Sequence, residues 1–319
     1  MSEPLLSIRD LCVDYVTDRG RVRAVDRVSL DVAPGETLGI AGESGSGKST
    51  LAQALLRILP PPAVIAGGEV RFEGRDLLAA SESELRELRW KRISMVFQSA
   101  MDSLNPVTTL CEQITDTLHA HRAITRSAAR ERAAELLAMV GIPHDFIDAY
   151  AHQLSGGMRQ RLGIAIALAL EPSLVILDEP TTALDVIVER EILENIRALQ
   201  RQLGFAVLFI THDLARMLQF SDRVAVFYAA RLVETGPAQE VRRAPRHPYT
   251  QGLLRAFPTV HGGAVELSSI PGVPPSLREP PSGCRFHPRC PIAVDQCRDR
   301  SPELVTIGPG HFAACHLAK

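Results

Sequence analysis

The sequence lacks both a long apolar run and a strong excess of one charge. Its 319 residues include 35 Lys and Arg against 37 Asp and Glu, which gives a formal net charge of −2. A chain so balanced gives no reason to expect bulk binding to nucleic acid. The apolar stretches, such as residues 162–170, fall short of the ~20 residues that a membrane-spanning helix needs.

The first residues also lack the pattern of a secretion signal. Met1-Ser2-Glu3-Pro4 has neither a basic start nor an apolar core. We therefore expect a cytosolic chain that reaches a membrane only through partner proteins. The length is enough for one large domain and an appendage, and 45% hydrophobic residues support a sizeable core.

Cysteine is scarce, but four of the six cysteines fall in the last 36 residues: Cys284, Cys290, Cys297 and Cys315. Because a cytosolic chain does not rely on disulfides, this cluster predicts a metal site, with an iron–sulfur cluster and structural zinc as the candidates. His287, His311 or His316 could replace one cysteine ligand. The alternative without metal is four reduced thiols in a packed extension.

The clearest motif is the glycine-rich segment 42–50, which has a glycine, four residues, then Gly-Lys-Ser. An apolar strand is expected before it and a helix after it, so backbone N–H groups and the helix N-terminus can surround a phosphate. Lys48 is expected to reach the β- and γ-phosphates, and the Ser49 hydroxyl to bind Mg²⁺. The predicted nucleotide-binding residues here are Gly42, Ser44, Gly45, Ser46, Gly47, Lys48, Ser49 and Thr50.

Two further segments add chemistry to this loop. Ser155, Gly156 and Gly157 precede a strongly helical run, which predicts a second anion-binding helix start. The apolar segment 174–179 then ends in two acids, Asp178 and Glu179. Asp178 is expected to hold Mg²⁺ through its water shell, and Glu179 to orient and deprotonate an attacking water.

The segment Leu-Ser-Gly-Gly-Met-Arg-Gln at 154–160 resembles the signature motif of ATP-binding cassette (ABC) ATPases. Other landmarks of that family follow in its order: the Q-loop Gln98, the D-loop Asp185, the switch His212 and, near the start, the adenine-stacking Tyr15. The resemblance implies that His212 contacts the γ-phosphate and that Gln98 senses Mg²⁺ or the lytic water. Without this context a lone histidine is more often structural, and Tyr15 is otherwise an edge-strand residue packed on a sheet.

The expected fold class is α/β. Alternating apolar residues near the N-terminus predict strands exposed on one face, and later buried strands alternate with helices. The resemblance implies a P-loop NTPase cassette with a RecA-like core, an antiparallel β subdomain and a helical subdomain at about 107–153. We expect the ATP-binding domain to cover 1–245 and a cysteine-containing extension to cover 246–319.

The resemblance also implies a dimer in which two cassettes dock head to tail. Ser155 and Gly157 of one cassette would then donate hydrogen bonds to the γ-phosphate of ATP held by the other. Glu179 and His212 are both present in this sequence, so we expect a hydrolysing site.

Two segments narrow the resemblance to di- and oligopeptide importer ATPases. Residues 97–106 are similar to their Q-loop region but depart from it at Ser99, Ala100 and Asp102. Residues 284–291, Cys-Arg-Phe-His-Pro-Arg-Cys-Pro, are similar to their C-terminal extension, for which the resemblance implies a [4Fe–4S] cluster.

The resemblance therefore implies the ATPase subunit of a peptide importer on the cytoplasmic face of the membrane. Its expected partners are a second, related ATPase chain, two permease subunits and an extracytoplasmic binding protein, with no nucleic acid. A nickel importer is the nearest alternative cargo. An ABC ATPase acting on nucleic acid and a redox sensor are alternatives of another class, but only 107 positions separate Lys48 from Ser155, with no heptad array between them.

Overall fold

The computed structural model describes residues 3–98, 104–182, 184–256 and 270–318. Its strands are β1 (Leu6–Thr17), β2 (Gly20–Val32), β3 (Thr37–Ala41), β4 (Ala63–Phe72), β5 (Arg75–Asp76), β6 (Ile93–Val96), β7 (Leu174–Asp178), β8 (Ala206–Thr211), β9 (Arg223–Tyr228), β10 (Arg231–Pro237), β11 (Val305–Gly308) and β12 (His311–Ala313).

The helices are α1 (Lys48–Leu55), α2 (Glu82–Leu88), α3 (Leu110–His121), α4 (Arg126–Met139), α5 (Gly156–Leu168), α6 (Val186–Leu203), α7 (Leu214–Phe220), α8 (Ala238–Arg243), α9 (Pro248–Ala256) and α10 (Gln296–Asp299). Within the described residues, none of them is both long enough and apolar enough to span a bilayer. The chain divides into two compact units. The first is Met1–Val32, Thr37–Leu78 and Ile210–Lys319, and the second is Ala33–Glu36 and Ala79–Phe209.

The first unit contains an antiparallel sheet in the order β2-β1-β4-β5. In β4 the fully buried Val70 and Phe72 alternate with the exposed Arg71, as the sequence pattern predicts. In β1 the alternation fails, because register shifts interrupt the strand and Leu11, Cys12, Val13 and Asp14 are all buried. These strands form the predicted antiparallel β subdomain.

A second group of strands in the first unit has the order β11-β12-β10-β9-β3. β3 and β9 are parallel, whereas β10 pairs antiparallel with β9 on one side and with β12 on the other. The tail of the chain thus contributes strands to this sheet, with Glu234 opposite Ala313 and Thr235 opposite Phe312. The proline-rich start of this tail predicts an irregular segment, and the sequence gives no strand signal at its end.

The second unit contains the parallel pair β6 and β7, with β8 next to β7, and helices α2 to α6. Among the described residues of the predicted helical subdomain at 107–153, the structure is helix and turn, apart from an isolated bridge between Thr109 and Tyr150. α2 begins with a capping box, because the Ser81 Oγ accepts the Glu84 N–H and the Glu84 carboxylate accepts the Ser81 N–H. α6 ends at Gly204, which has a φ of 76°.

Candidate active site

Residues 42–47 form a tight loop between β3 and α1, residues 48–50 begin α1, and two of the loop glycines are required by close backbone approach. A Cβ on Gly42 would collide with the carbonyl oxygen of Phe227, and one on Gly47 with that of Ala24. Both residues have positive φ, 154° and 102° respectively. A side chain at either of these two positions would therefore disturb the loop backbone.

Lys48 is the first residue of α1 and is only 4% exposed. Its Nζ donates to the carbonyl oxygens of Gly42 at 2.7 Å and Glu43 at 2.9 Å, and lies 3.4 Å from the Ser46 hydroxyl. The ammonium thus lies over the loop that precedes its own helix, where the partial positive charge of the helix start adds to it. This arrangement suits an anion such as a polyphosphate.

Tyr15 and His212 also belong to the first unit. The Tyr15 hydroxyl lies 3.4 Å from the Thr50 hydroxyl in the first turn of α1, so β1 brings this ring to the phosphate loop. His212 follows β8 directly and is exposed. The next residue, Asp213, caps α7 by accepting the Arg216 N–H at 3.0 Å.

The second unit brings Gln98 and Glu179 together, although they are 81 positions apart. The Gln98 Nε2 donates to the Glu179 Oε2 at 2.9 Å, and the Thr182 hydroxyl donates to the same oxygen at 3.1 Å. Glu179 follows β7 with a φ of 46°, a backbone conformation that is uncommon for a residue with a side chain. Neighbouring Asp178 is 3% exposed.

Sequence reasoning missed Thr182 in this cluster. Its only signal is a hydroxyl three residues after the second acid, and such a hydroxyl is common in turns.

The predicted signature residues lie at the start of α5 in the second unit. Ser155 caps the helix, because its Oγ accepts the Met158 N–H at 3.3 Å, and it is exposed. Gly157 is buried against α6, and a Cβ there would lie 2.6 Å from the Val188 Cγ1. Asp185 in turn caps α6 by accepting the N–H groups of Ile187 and Val188, both at 3.0 Å.

The structure therefore divides the predicted site residues between the two units. The first unit holds Tyr15, residues 42–50 and His212, and the second holds Gln98, residues 155–157, Asp178, Glu179 and Asp185. The Q-loop departures at Ser99, Ala100 and Asp102, and the D-loop Ala183, lie outside the described residues.

The residues predicted to bind Mg²⁺ offer the oxygen donors that this hard cation prefers. Ser49 supplies a hydroxyl in the first turn of α1, and Asp178 supplies a buried carboxylate at the end of β7. Gln98 offers its amide oxygen, since its amide nitrogen is the group that donates to Glu179. Each of these oxygen donors is of the type that suits Mg²⁺, one in the first unit and two in the second.

The predicted iron–sulfur cluster is wrong. The four tail cysteines are free thiols and border a cavity of only about 10 Å³, which is at the lower limit for one water molecule. Among the described residues there is no group of three or more His, Cys, Asp or Glu side chains placed to hold a metal ion. Burial raises the pKa of Cys284 to about 11, so this thiol remains protonated. The zinc alternative has no support either.

Each of the three tail histidines offered as replacement ligands has one ring nitrogen beside another group of the chain. The His311 Nε2 lies 2.8 Å from the Glu234 carboxylate, the His287 Nδ1 lies 2.9 Å from the Cys284 carbonyl oxygen, and the His316 Nε2 lies 2.8 Å from that of Arg300. These contacts hold the tail in place.

Two family descriptions match the chain. The family "ABC transporter" matches residues 25–182, and "Oligopeptide/dipeptide transporter, C-terminal region" matches residues 233–297. The oligopeptide transport ATP-binding protein OppD of Bacillus subtilis (strain 168) is 45% identical over 317 residues, which cover 98% of this chain and 88% of OppD. The dipeptide transport ATP-binding protein DppD of Escherichia coli (strain K12) is 44% identical over 314 residues, which cover 98% of this chain and 96% of DppD.

Solved structures agree on the fold. A dimeric post-hydrolysis state of the ATP-binding cassette MJ0796, bound to ADP and Pi, matches with a TM-score of 0.66 and 28% identity over 73% of this chain and 98% of that one. The cbiO1 protein of Clostridium perfringens matches with a TM-score of 0.67 and 28% identity over 76% of this chain and 92% of that one. The predicted cassette fold is thus confirmed, and the chain belongs to the ABC transporter ATP-binding proteins, in the group that carries the oligopeptide/dipeptide transporter C-terminal region.

Proposed function

We propose that this chain is the subunit of a peptide importer that binds and hydrolyses ATP to drive uptake. Its full-length relatives are named for oligopeptide and dipeptide transport, and no observation favours nickel or nucleic acid instead. The observation that carries the hydrolytic role is the Glu179 carboxylate, held by Gln98 and Thr182 at the end of β7. We retain the proposed division into a cassette at 1–245, with its helical subdomain at about 107–153, and an extension at 246–319.

ATP binding is assigned to the loop before α1. The loop N–H groups and Lys48 take the β- and γ-phosphates, and Tyr15 stacks on the adenine. Ser49 of the first unit and Asp178 and Gln98 of the second are the residues proposed to bind Mg²⁺, which would offset the negative charge of the phosphates. Support comes from the buried Lys48 ammonium above a loop that tolerates no Cβ at Gly42 or Gly47.

Hydrolysis is assigned to Glu179, which orients a water molecule and accepts its proton. Gln98 and Thr182 keep this carboxylate in one position, so little reorganisation accompanies the reaction. His212 donates to the γ-phosphate, and its exposure after β8 leaves it accessible to that group.

A second ATPase subunit, related but not identical, is proposed to complete the site by binding head to tail. The signature Ser155 is exposed at the start of α5, where it and Gly157 can present donors to a phosphate on another chain. Asp185 is followed by two exposed apolar residues, Val186 at 67% and Ile187 at 73%, which a partner would cover. The MJ0796 cassette is a dimer in its solved structure.

Two permease subunits are the proposed membrane partners, together with an extracytoplasmic binding protein that delivers the peptide. The second unit has a groove of about 810 Å³ with an apolar floor from Met95, Phe97 and Leu104 and a polar rim from Glu112 and Asp116 on α3. A short amphipathic helix from a permease fits such a groove. The subunit would then lie on the cytoplasmic face of the membrane.

The direct test replaces the proposed base. In the complex reconstituted with its permeases in vesicles, we expect Glu179→Gln to bind Mg-ATP like the wild type but to lose at least about 100-fold of its turnover. Stable ATP-bound dimers should accumulate in this variant. The matched control is Glu189→Gln, a buried acid of the second unit that accepts a hydrogen bond from the Thr181 hydroxyl. Hydrolysis by Glu179→Gln within about tenfold of the wild type would refute the assignment.

A further inference from the structure

Glu43 is the second residue of the phosphate loop, and three of its own groups form hydrogen bonds. Its N–H donates to the Tyr249 hydroxyl at 2.9 Å, and its carbonyl oxygen accepts from the Lys48 Nζ at 2.9 Å. Its carboxylate accepts from both terminal nitrogens of Arg289, at 2.8 and 3.0 Å. Two of these three partners come from the tail of the chain, more than 200 positions away.

Arg289 is buried and fixed in position by contacts at several of its side-chain atoms. It is 7% exposed, its Nε donates to the Pro271 carbonyl oxygen at 2.8 Å, and its Nη1 also reaches the Tyr228 hydroxyl at 3.3 Å. Its guanidinium lies 5.8 Å from the centre of the Tyr228 ring. A planar fork fixed in this way gives the two-pronged geometry that a lysine cannot reproduce.

The surroundings of this ion pair are apolar and rigid. The rings of Tyr228 and Tyr249 lie 4.6 Å apart, and Phe286 packs on both at 5.1 and 5.5 Å. Burial lowers the pKa of Arg289, but hydrogen bonds to Glu43 and Tyr228 outweigh it and the net shift is upward. The arginine therefore stays charged, and the pair is screened little by solvent.

The charges of this ion pair bear on nucleotide binding. Glu43 places a carboxylate, 25% exposed, in the loop proposed to hold a polyanion. Without Arg289 this negative charge would oppose the incoming phosphates, and the loop would lose a two-point anchor beside the carbonyl that Lys48 contacts. With Arg289 the carboxylate is neutralised and the loop backbone is fixed before ATP arrives.

We propose that Arg289 is a positioning residue of the ATP site, acting through Glu43 to hold the phosphate loop in its binding form. The tail is then a working part of the nucleotide site and not only an appendage. This role rests on the proposed assignment of residues 42–50 to ATP.

The test measures Mg-ATP affinity in the full-length chain by calorimetry, with KM and kcat in the assembled complex. Arg289→Met, Glu43→Gln and the double variant form a mutant cycle. Arg285→Met is the matched control, since Arg285 is also a buried arginine of the tail but pairs with Asp26, outside the loop. Lys48→Ala serves as the variant that lacks the phosphate contact.

Arg289→Met should raise the Kd and the KM for ATP about tenfold and change kcat by less than about twofold. In the Glu43→Gln background the same substitution should change the Kd by less than about twofold, because its partner has already been altered. Arg289→Lys, which keeps the charge but loses the fork, should give an intermediate Kd even if Arg289→Met does not fold.

The positioning role is overturned if Arg289→Met binds ATP within twofold of the wild type, or if its effect is equally large in both backgrounds. It is also overturned if Arg285→Met weakens ATP binding as much, since the cause would then be general loosening of the tail. Wild-type protein that binds Mg-ATP no better than Lys48→Ala would refute the nucleotide site itself, and the positioning role with it.

Discussion

His247 is a single side chain that couples the stability of the first unit to pH. It is 1% exposed, and its Nδ1 accepts the Tyr249 N–H at 3.1 Å, a role that requires the unprotonated nitrogen. Burial lowers the pKa of His247 from 6.5 to about 3, because the imidazolium would be cut off from water. The folded chain thus keeps this ring neutral at pH values at which the unfolded chain protonates it.

We predict that the free energy of unfolding falls as the pH drops below about 6.5 and continues to fall toward pH 3. In that window the unfolded state binds a proton that the folded state does not, so each pH unit costs up to about 1.4 kcal/mol. Denaturant titrations at pH 7 and pH 5 measure the difference. His247→Asn, which keeps an acceptor, should lose less stability between them, whereas the exposed control His152→Asn should match the wild type. Equal losses in all three proteins would contradict the prediction.

Helix α6 depends on a single residue at each of its two ends. Its first turn depends on Asp185, whose Oδ1 accepts two backbone N–H groups that have no partner within the helix. Its last turn ends at Gly204, whose left-handed conformation suits a glycine. Between them, Ile192, Ile196 and Leu199 are buried at helical spacing.

We predict that Asp185→Ala lowers the free energy of unfolding by about 1 kcal/mol, because the two N–H groups lose their acceptor. Chemical denaturation of the full-length chain measures this change. Asp185→Asn keeps the cap and loses only the charge, so it should retain most of the stability. An equal loss in Asp185→Asn and Asp185→Ala would show that charge, and not capping, is the dominant contribution.

Elements with a strong local pattern could be predicted from the sequence, and those held by distant partners could not. The apolar run of β7 and the start of α5 after Ser155 are where the sequence places them. β11 and β12 have only four and three residues, and β12 is stabilised by pairing with β10. No local periodicity can reveal so short a strand.

In the candidate site too, adjacent residues could be predicted from the sequence and their distant partners could not. The motif at 42–50 can be recognised from the sequence because its glycines and lysine lie close together in the chain. The groups that hold it, Tyr249 and Arg289, come from remote positions with no motif of their own. The metal site predicted from the four tail cysteines is wrong, because spacing in the sequence does not show how little space their side chains enclose.

At the scale of the whole molecule, the tail is part of the first unit. Glu234 on β10 is fully buried and accepts hydrogen bonds from the N–H groups of Arg246 and His247, at 2.8 and 2.9 Å, and lies beside His311. Each of these partners lies beyond residue 245. A buried carboxylate that loses all of them is strongly destabilising.

We therefore predict that a chain ending at residue 245 loses cooperative unfolding in its first unit, since Glu234 is left without these partners and β10 without β12. Thermal unfolding and limited proteolysis, compared with the full-length chain, measure the loss. Glu234→Gln in the shortened chain should recover part of the stability, because a neutral amide costs less to bury. A shortened chain that melts within a few degrees of the full-length protein would contradict this.

The ion pair between Glu43 and Arg289 also sets the order of events during synthesis. The two residues are 246 positions apart, so at ~5–20 residues per second Arg289 emerges from the ribosome on the order of 10–50 s after Glu43. For that interval the nascent cassette has its phosphate loop but not the counter-charge that braces it. On the role proposed for Arg289, the loop thus reaches its full affinity for nucleotide late in translation, after the whole cassette at 1–245 has been made.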